Sequence, residues 1–512
     1  MAVTAVAVPT AVLAVVAALD RIGPWGDQGA IQLATERAGR FSQMVGPYSR
    51  FGWSHPGPLW FYLLVGPYRL FGGTGRALAA ATVVLTGVAA VALVVAVARL
   101  AGVTAGRWAA VVVVAELAAL GPPTVAEVWN PVAIIVPTAL FLVLCAGVAV
   151  GRWWMLAGAV GVGTFLVQTD VSTGLVVGVV GLAAVGCAAV RHRSVDTGRV
   201  APGRPLGAAA VVAVVLWLPA LVQQATGSPG NLGQVIRFFR TGPAAGSGVA
   251  DHHSLGAAAR AVAGALWPPL HGRLGAGPPE VGATAVILVG ALALATLAVV
   301  AGRRRRPLGA ALGAAGGLAV VVGVISATRA TGPLYAYLTE WLSGAGAVIG
   351  LGLVLVLGPG SRPVPPRAPV GQRRAGVAAA LAGLALVALA AVQRPTPPAG
   401  GAQADALWAA VRPALPRTGA GAPPAVEVAV ATPDRWPWAA GLLVDLGHSG
   451  YRPVAPQAWL FLFGTQLGYA GRPAATVSVW TPGRGPRPAG RQVGAVGRTA
   501  VFVSPSVPRG TS

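Results

Sequence analysis

The sequence predicts an all-α polytopic membrane protein, with about eleven transmembrane helices and a small α/β domain at its C-terminal end. Three observations predict it. The 512 residues are 55% hydrophobic and only 10% charged, and apolar runs of about 20 residues, enough to cross the roughly 30 Å hydrocarbon core as a helix, recur along most of the chain. The runs are continuous, whereas barrel strands alternate over about ten residues; paired backbone groups in lipid then require helices. From residue 393 the pattern changes to a proline-rich linker, RPTPPAGG, followed by short strand-like and helix-like stretches.

In order, the spans are placed at 2–19, 77–98, 108–122, 131–149, 153–167, 172–190, 206–223, 281–301, 307–327, 341–358 and 375–392. Residues 2–19 lack a charged leader and a cleavage pattern, so they count as a span and not as a removable signal. Arginine-rich connections fall at 99–107, 191–204, 302–306 and 359–374. Eleven spans put all of them on one side, which the positive-inside bias makes cytoplasmic. The N-terminus is then inside, and the loops 20–76, 123–130, 224–280 and 328–340 are outside, as is everything from 393 onward.

The net charge of +23 does not mark a nucleic-acid binder. All 37 basic residues are arginines, and they cluster in the short connections between spans and otherwise scatter, with no single basic face. The lysine-free, alanine- and valine-rich usage fits a GC-rich bacterial genome, hence a bacterial plasma membrane. Cys145 and Cys187 both fall inside spans, which argues against a disulfide framework.

Residues 57–72 decide the count. Read as a twelfth span, they would put Asp27 and Glu127 on opposite faces. They contain Pro58, Pro67 and Arg69 and are flanked or filled by Trp53, Trp60, Tyr62 and Tyr68, the residue types of the headgroup region. The preferred reading is a juxtamembrane, half-inserted helix within the outer loop 20–76. Of the fourteen acidic residues, twelve then lie in outer segments or at outer span ends, so the outer face is where chemistry is expected.

The candidate residues follow from that face. Asp27, in GPWGDQGAIQLA, reads as a helix N-cap and equally as a site carboxylate. Glu36, Arg37 and Arg40 lie on the same stretch. His55 stands between Trp53 and a rigid Pro56-Gly57-Pro58 corner, and reads either as a loop-bound imidazole or as a site element. Glu127 and Asn130 precede Pro131 at the start of a span, and Glu127 is either a solvated loop acid or functional. Glu116, inside a span, is either a partner of a buried polar group or functional. Gln168 and Asp170, in QTDVSTG, are expected to face one outer cavity. Arg329 and Tyr335 sit at another outer span end; the arginine either snorkels or grips a phosphate. SPGNLGQVIRFFR (228–240) reads as a turn and an amphipathic helix. DHHSLG (251–256) lacks a third ligand at suitable spacing, so no metal is indicated. In the tail, 426–432 reads as a strand, 436–450 as a helix and 499–505 as a last strand.

Together these residues resemble the C-type (GT-C fold) glycosyltransferases that use polyprenyl-phosphate sugars, especially the protein O-mannosyltransferase-like group. In that family an acidic residue follows the first span, as Asp27 does in GDQGA. A His-Pro-Pro-Leu-like motif lies on a juxtamembrane helix, matched more loosely here by His55-Pro56-Gly57-Pro58-Leu59. The chain departs from the pattern at Gln28, where a second acid is frequent, and at Gly57. The resemblance covers the membrane region and is strongest over 20–76.

It implies transfer of a sugar from a polyprenyl phosphate to an acceptor hydroxyl on the outer face, with inversion. Asp27 would be the general base; His55 and Glu127 would orient substrates. Arg329, or Arg37 or Arg40, would stabilise the phosphate, with Glu36, Asn130, Gln168, Asp170 and Tyr335 lining the substrates. Arabinose or mannose delivered to a cell-envelope glycan or protein would fit the family, with the domain 393–512 capping the site or holding the acceptor. The rival readings are a transporter or lipid flippase, against which stands the lack of an internal repeat, and an inactive scaffold of the same fold.

Overall fold

The computed structural model describes residues 1–19, 23–194, 203–242, 252–266, 281–303, 305–357, 400–419 and 421–505. The expected span 375–392 and the connection 359–374 lie outside them. In chain order the membrane region holds α1 (Thr4–Leu19), α2 (Gly26–Ala38), α3 (Leu59–Leu70), α4 (Gly75–Ala101), α5 (Val103–Val125), α6 (Asn130–Ala133), α7 (Ile135–Ala149), α8 (Leu156–Thr169), α9 (Gly174–Ser194), α10 (Gly203–Thr226), α11 (Asn231–Thr241), α12 (Leu255–Leu266), α13 (Val281–Gly302), α14 (Pro307–Thr328) and α15 (Ser343–Leu357).

Among the described residues eight helices are long and apolar enough to cross a membrane. Each of the ten expected spans on described residues coincides with a helix. α1 and α8, at 16 and 14 residues, fall short of that length, while α7 and α15 reach it with the helical turns before them, as Asn130–Ala149 and Glu340–Leu357. α12, in the stretch read as outer loop 224–280, is an unexpected apolar helix packed on α14. Chemistry dictates which helices sit inside. α4, α7, α14 and α15 are largely buried, whereas α10 and α13 expose rows such as Val211, Val214, Leu218 and Val286, Val289. Apolar surface on that scale requires lipid. Inside the bundle, Ser343 donates to the Glu116 carboxylate, so this acid has the buried polar partner that the structural reading of it called for.

α3 is twelve residues long, about 18 Å at the helical rise, well short of the roughly 30 Å core. It buries Trp60, Phe61 and Leu64 against the bundle.

The C-terminal unit is α16 (Gly401–Val411), β1 (Ala425–Val430), α17 (Trp436–His448), β2 (Arg452–Val454), α18 (Leu460–Phe463), β3 (Ala475–Trp480), β4 (Arg491–Val496) and β5 (Thr499–Pro505). Its sheet runs β2-β1-β3-β5-β4, parallel across β2-β1-β3 and antiparallel from β3 onward. α17 buries Ala439, Leu442, Leu443 and Leu446. β2 and β4 carry no strand signal in the sequence, since β2 is three residues around Pro453 and β4 is a largely unburied edge with glycine at its bulge.

This unit does not end at its own chain segment. Ala30 and Leu33 of α2 belong to its hydrophobic core, together with Leu407, Val426 and Leu443. α17 lies against α2, and Gly441 meets the backbone of Pro24 so closely that any Cβ there would overlap the Pro24 carbonyl. Trp25 packs edge-on to Trp438 and Tyr48 edge-on to Trp436.

Candidate active site

Asp27 is the second residue of α2, not its cap. The cap position is Trp25, and no side chain caps the helix. The carboxylate instead accepts a hydrogen bond from the Tyr48 hydroxyl at 2.5 Å. Burial pushes the Asp27 pKa above the usual carboxylate value, and the Tyr48 bond offsets only part of that. Burial and the neighbouring Asp27 charge push the Tyr48 phenol up, so it stays a donor.

Asp27 and His55 line one cavity of about 680 Å3. A tight corner brings them together. Tyr48 and Ser54 pair as an antiparallel bridge, and the His55 amide donates to the Pro47 carbonyl. Past His55, the Gly57 backbone passes so close to Gln168 that any Cβ would overlap its carboxamide; this is a physical reason for glycine where the family motif has proline. The buried His55 Nδ1 accepts from the Val171 amide at 3.0 Å. In the neutral ring the proton is then on Nε2, and burial lowers the imidazole's pKa, against the charge of Asp170.

Four more expected residues line this cavity: Asn130, Asp170, Arg329 and Tyr335. Asp170 accepts from the Ser172 amide and so sets the turn between α8 and α9. Among the described residues the exposed Arg329 guanidinium has no hydrogen-bond or ion-pair partner. His253, from the histidine pair, bonds the Gly332 carbonyl at 2.7 Å and holds the loop that carries Arg329.

The other expected residues are elsewhere. Glu127 lines neither this cavity nor the second one described below; burial and the Asp27 charge push its carboxyl up. Gln168 accepts from the Leu59 amide and donates to the Leu216 carbonyl, so it clamps α3 to α10 and does not share the cavity of Asp170. Glu36 faces the C-terminal unit. His448 Nε2 donates to its carboxylate at 2.8 Å, and Tyr68 donates at 2.9 Å. Arg37 is buried and donates to Gln43 and to the Phe463 carbonyl. Arg40 is exposed beyond the end of α2.

Sequence reasoning missed Tyr48, Arg50 and Tyr337. Arg50 donates to the Thr331 carbonyl at 2.7 Å and lies over the Phe51 and Tyr335 rings, and Tyr335 stacks on Tyr337 at 5.5 Å. The available signal was the density of aromatic and basic residues in PYSRFGWSH and LYAYL. The walls are completed by Trp53, Phe238, Phe239 and Trp341. Two guanidinium groups, the two carboxylates of Asp27 and Asp170 and aromatic walls line the cavity; the arginine side suits the anionic head of an amphipathic ligand. Among the described residues no group of three or more His, Cys, Asp or Glu side chains converges as a metal site.

A second cavity of about 550 Å3 shares Asp27, Tyr48 and Asn130 with the first. It lies between α2 and the loop that follows it, the α10–α11 corner and residues 457–466 of the C-terminal unit.

No protein-family model and no curated protein matches the sequence. Solved structures do. The crystal structure of ArnT from Cupriavidus metallidurans bound to undecaprenyl phosphate is 16% identical, with a TM-score of 0.53 over 98% of this chain and 97% of that one. The apo form of that protein aligns over the same shares at 16% identity and a TM-score of 0.44. The chain therefore has the fold of ArnT, and the GT-C architecture implied by Asp27 and the His55 corner is the architecture found. It is an integral membrane protein of mostly helical, polytopic type with a small C-terminal sheet domain.

Proposed function

We propose that this GT-C protein is a membrane glycosyltransferase that moves a sugar from a polyprenyl-phosphate donor to an acceptor hydroxyl, with Asp27 as general base. One observation carries the reading: Asp27 shares a cavity with Arg50 and Arg329, in a fold whose structural relative is seen with undecaprenyl phosphate. The acceptor oxygen bonds to the anomeric carbon while the bond from that carbon to the phosphate oxygen breaks. The electron pair leaves with polyprenyl phosphate, and the hydroxyl proton passes to Asp27. A single displacement inverts the anomeric carbon.

Burial supports the role of Asp27, because a carboxylate with a raised pKa is a better base. Arg329 and Arg50 balance the charge that grows on the departing phosphate. His55, fixed by Val171, presents Nε2–H as a neutral donor, and Asp170 orders the turn beside it. Glu127 acts behind Asp27 through charge. The chemistry is assigned to the outer face, with the N-terminus and arginine connections inside and the C-terminal unit outside. A cell-envelope glycan or protein, receiving arabinose or mannose, remains the acceptor class this reading calls for.

The test is sugar transfer by the full chain in lipid nanodiscs, with a panel of polyprenyl-phosphoryl sugars, for wild type and Asp27→Asn. Transfer that vanishes in the variant while donor binding persists supports the reading. Equal transfer by both proteins removes Asp27 as base, and no transfer by a folded, donor-binding protein removes the enzyme.

A further inference from the structure

The second cavity has a composition unlike the rest of the chain. The sequence contains only two asparagines, Asn130 and Asn231, and both line it. Five of the thirteen glutamines line it as well: Gln43, Gln223, Gln234, Gln457 and Gln466. These residues come from four separated stretches of chain, so the fold gathers them.

Carboxamides carry both donors and acceptors, and several here are only half used. Asn130 donates to the Thr169 carbonyl, Gln466 to the Ser42 carbonyl and Gln234 to the Pro229 carbonyl, which leaves each amide oxygen available. The Gln223 oxygen accepts from the Asn231 amide, which leaves its NH2. Charge is nearly missing. Asp27 and Arg37 are the charged residues of the lining, and Arg37 is committed to Gln43 and Phe463. The first cavity offers Arg329, whose guanidinium has no partner among the described residues, beside Arg50, which is held by the Thr331 carbonyl; the charged lining of the second offers only the buried, bonded Arg37 as a cation. An anionic group would gain little here. A ligand dense in neutral hydroxyls, each able to donate and accept, matches this lining, and the exposed Phe461 ring at its edge gives an apolar sugar face something to rest on.

We propose that the second cavity is the acceptor site and that its occupant is an uncharged carbohydrate, which presents one hydroxyl to Asp27 from the side opposite the arginines. This rests on the glycosyltransferase reading and narrows it: the C-terminal unit supplies part of the acceptor wall through Gln457 and Gln466. The transferred sugar then bonds to a neutral glycan hydroxyl, whose proton goes to Asp27, and polyprenyl phosphate leaves on the arginine side.

The test uses the full chain in nanodiscs and two separate probes. Neutral tetrasaccharides derived from mannan, arabinan and glucan report on the second cavity by saturation-transfer NMR, and undecaprenyl phosphate reports on the first. Gln457→Ala and Gln466→Ala alter exposed side chains, and Gln234→Ala alters the facing wall. At least one saccharide should bind, and the paired variant Gln466→Ala with Gln234→Ala should weaken it about tenfold or more while undecaprenyl phosphate binding is unchanged. Saccharide binding that ignores all three substitutions overturns the assignment. So does no saccharide binding by a chain that still binds undecaprenyl phosphate, or displacement by an Ala-Ser-Thr peptide that proves the better ligand. Loss of undecaprenyl phosphate binding in the wild type would instead strike the glycosyltransferase reading itself.

Discussion

The Tyr48 hydroxyl donates to Asp27 at 2.5 Å from a loop 21 residues further along the chain, and this contact ties the acid of α2 to the corner that carries His55. The bond favours the ionised carboxylate and works against burial. Tyr48→Phe should therefore raise the Asp27 pKa further. The acid limb of the pH–rate profile should move to higher pH, and turnover near neutrality should fall roughly tenfold. An unmoved limb would mean that Asp27 does not control it.

Asp27→Asn separates function from stability. Its pKa in the folded state lies above the ordinary 3.8. Such a group lends stability below its unfolded pKa and loses it as pH rises through the folded value. At pH 7 the ionised, buried Asp27 is thus a cost. The asparagine variant should lose about 100-fold or more in transfer rate, yet melt at the same temperature as wild type or higher. A lower melting temperature would point to a structural acid.

Arg50 joins the loop of His55 to the loop of Arg329 through the Thr331 carbonyl and the Tyr335 ring. Arg50→Ala should weaken undecaprenyl phosphate binding about tenfold to 100-fold and expose residues 328–335 to protease. Arg50→Lys should restore little, because an ammonium cannot fork to a carbonyl and stack on a ring together. Full rescue by lysine would leave only charge as the role of Arg50.

The joint between Glu36 and His448 has a working pH range. His448 is held above its ordinary 6.5 first by its hydrogen bond to Glu36, against burial. Its contribution is whole below 6.5 and fades as pH rises through the raised value. Burial pushes Glu36 up, but His448 and Tyr68 outweigh it, so its pKa lies below 4.5. That contribution is whole above 4.5 and fades as pH falls. Hydrogen exchange in α17 should be slowest between about pH 4.5 and 6.5, after correction for intrinsic rates, and faster on the alkaline side. Glu36→Gln should flatten the dependence. His448 is partly exposed, so the effect should be modest and should shrink in salt.

Hydropathy made the membrane region legible, since a run that must satisfy its own backbone in lipid has one regular solution. Among the candidate residues, Asp27, His55, Asn130, Asp170, Arg329 and Tyr335 all line the first cavity; Asn130, Asp170 and Arg329 stand where an apolar helix starts or stops, and a polar side chain there has few other places to go. Glu36 lines neither cavity and Arg37 only the second, for a specific reason. Their partners, His448 and Phe463, lie more than 400 residues later, and no local pattern links such distant positions. Gln168 was misplaced because, two residues before Asp170 and still within α8, its amide points to another side, toward Leu59 and Leu216. Tyr48 and Arg50 carry no spacing signal, since a loop's turn chemistry alone decides where they point.

The sharing of Ala30 and Leu33 between α2 and the distal core also sets an order of events at the ribosome. The helix that bears Asp27 is translated well before the distal surface into which Ala30 and Leu33 pack. Until that surface arrives, Ala30 and Leu33 lack the core they pack into, and only Ile31, Ala34 and Ala38 of α2 have a protein core to rest on, that of the membrane bundle. The seat of α2, and with it the position of Asp27, is then complete only once the chain through β5 has been made.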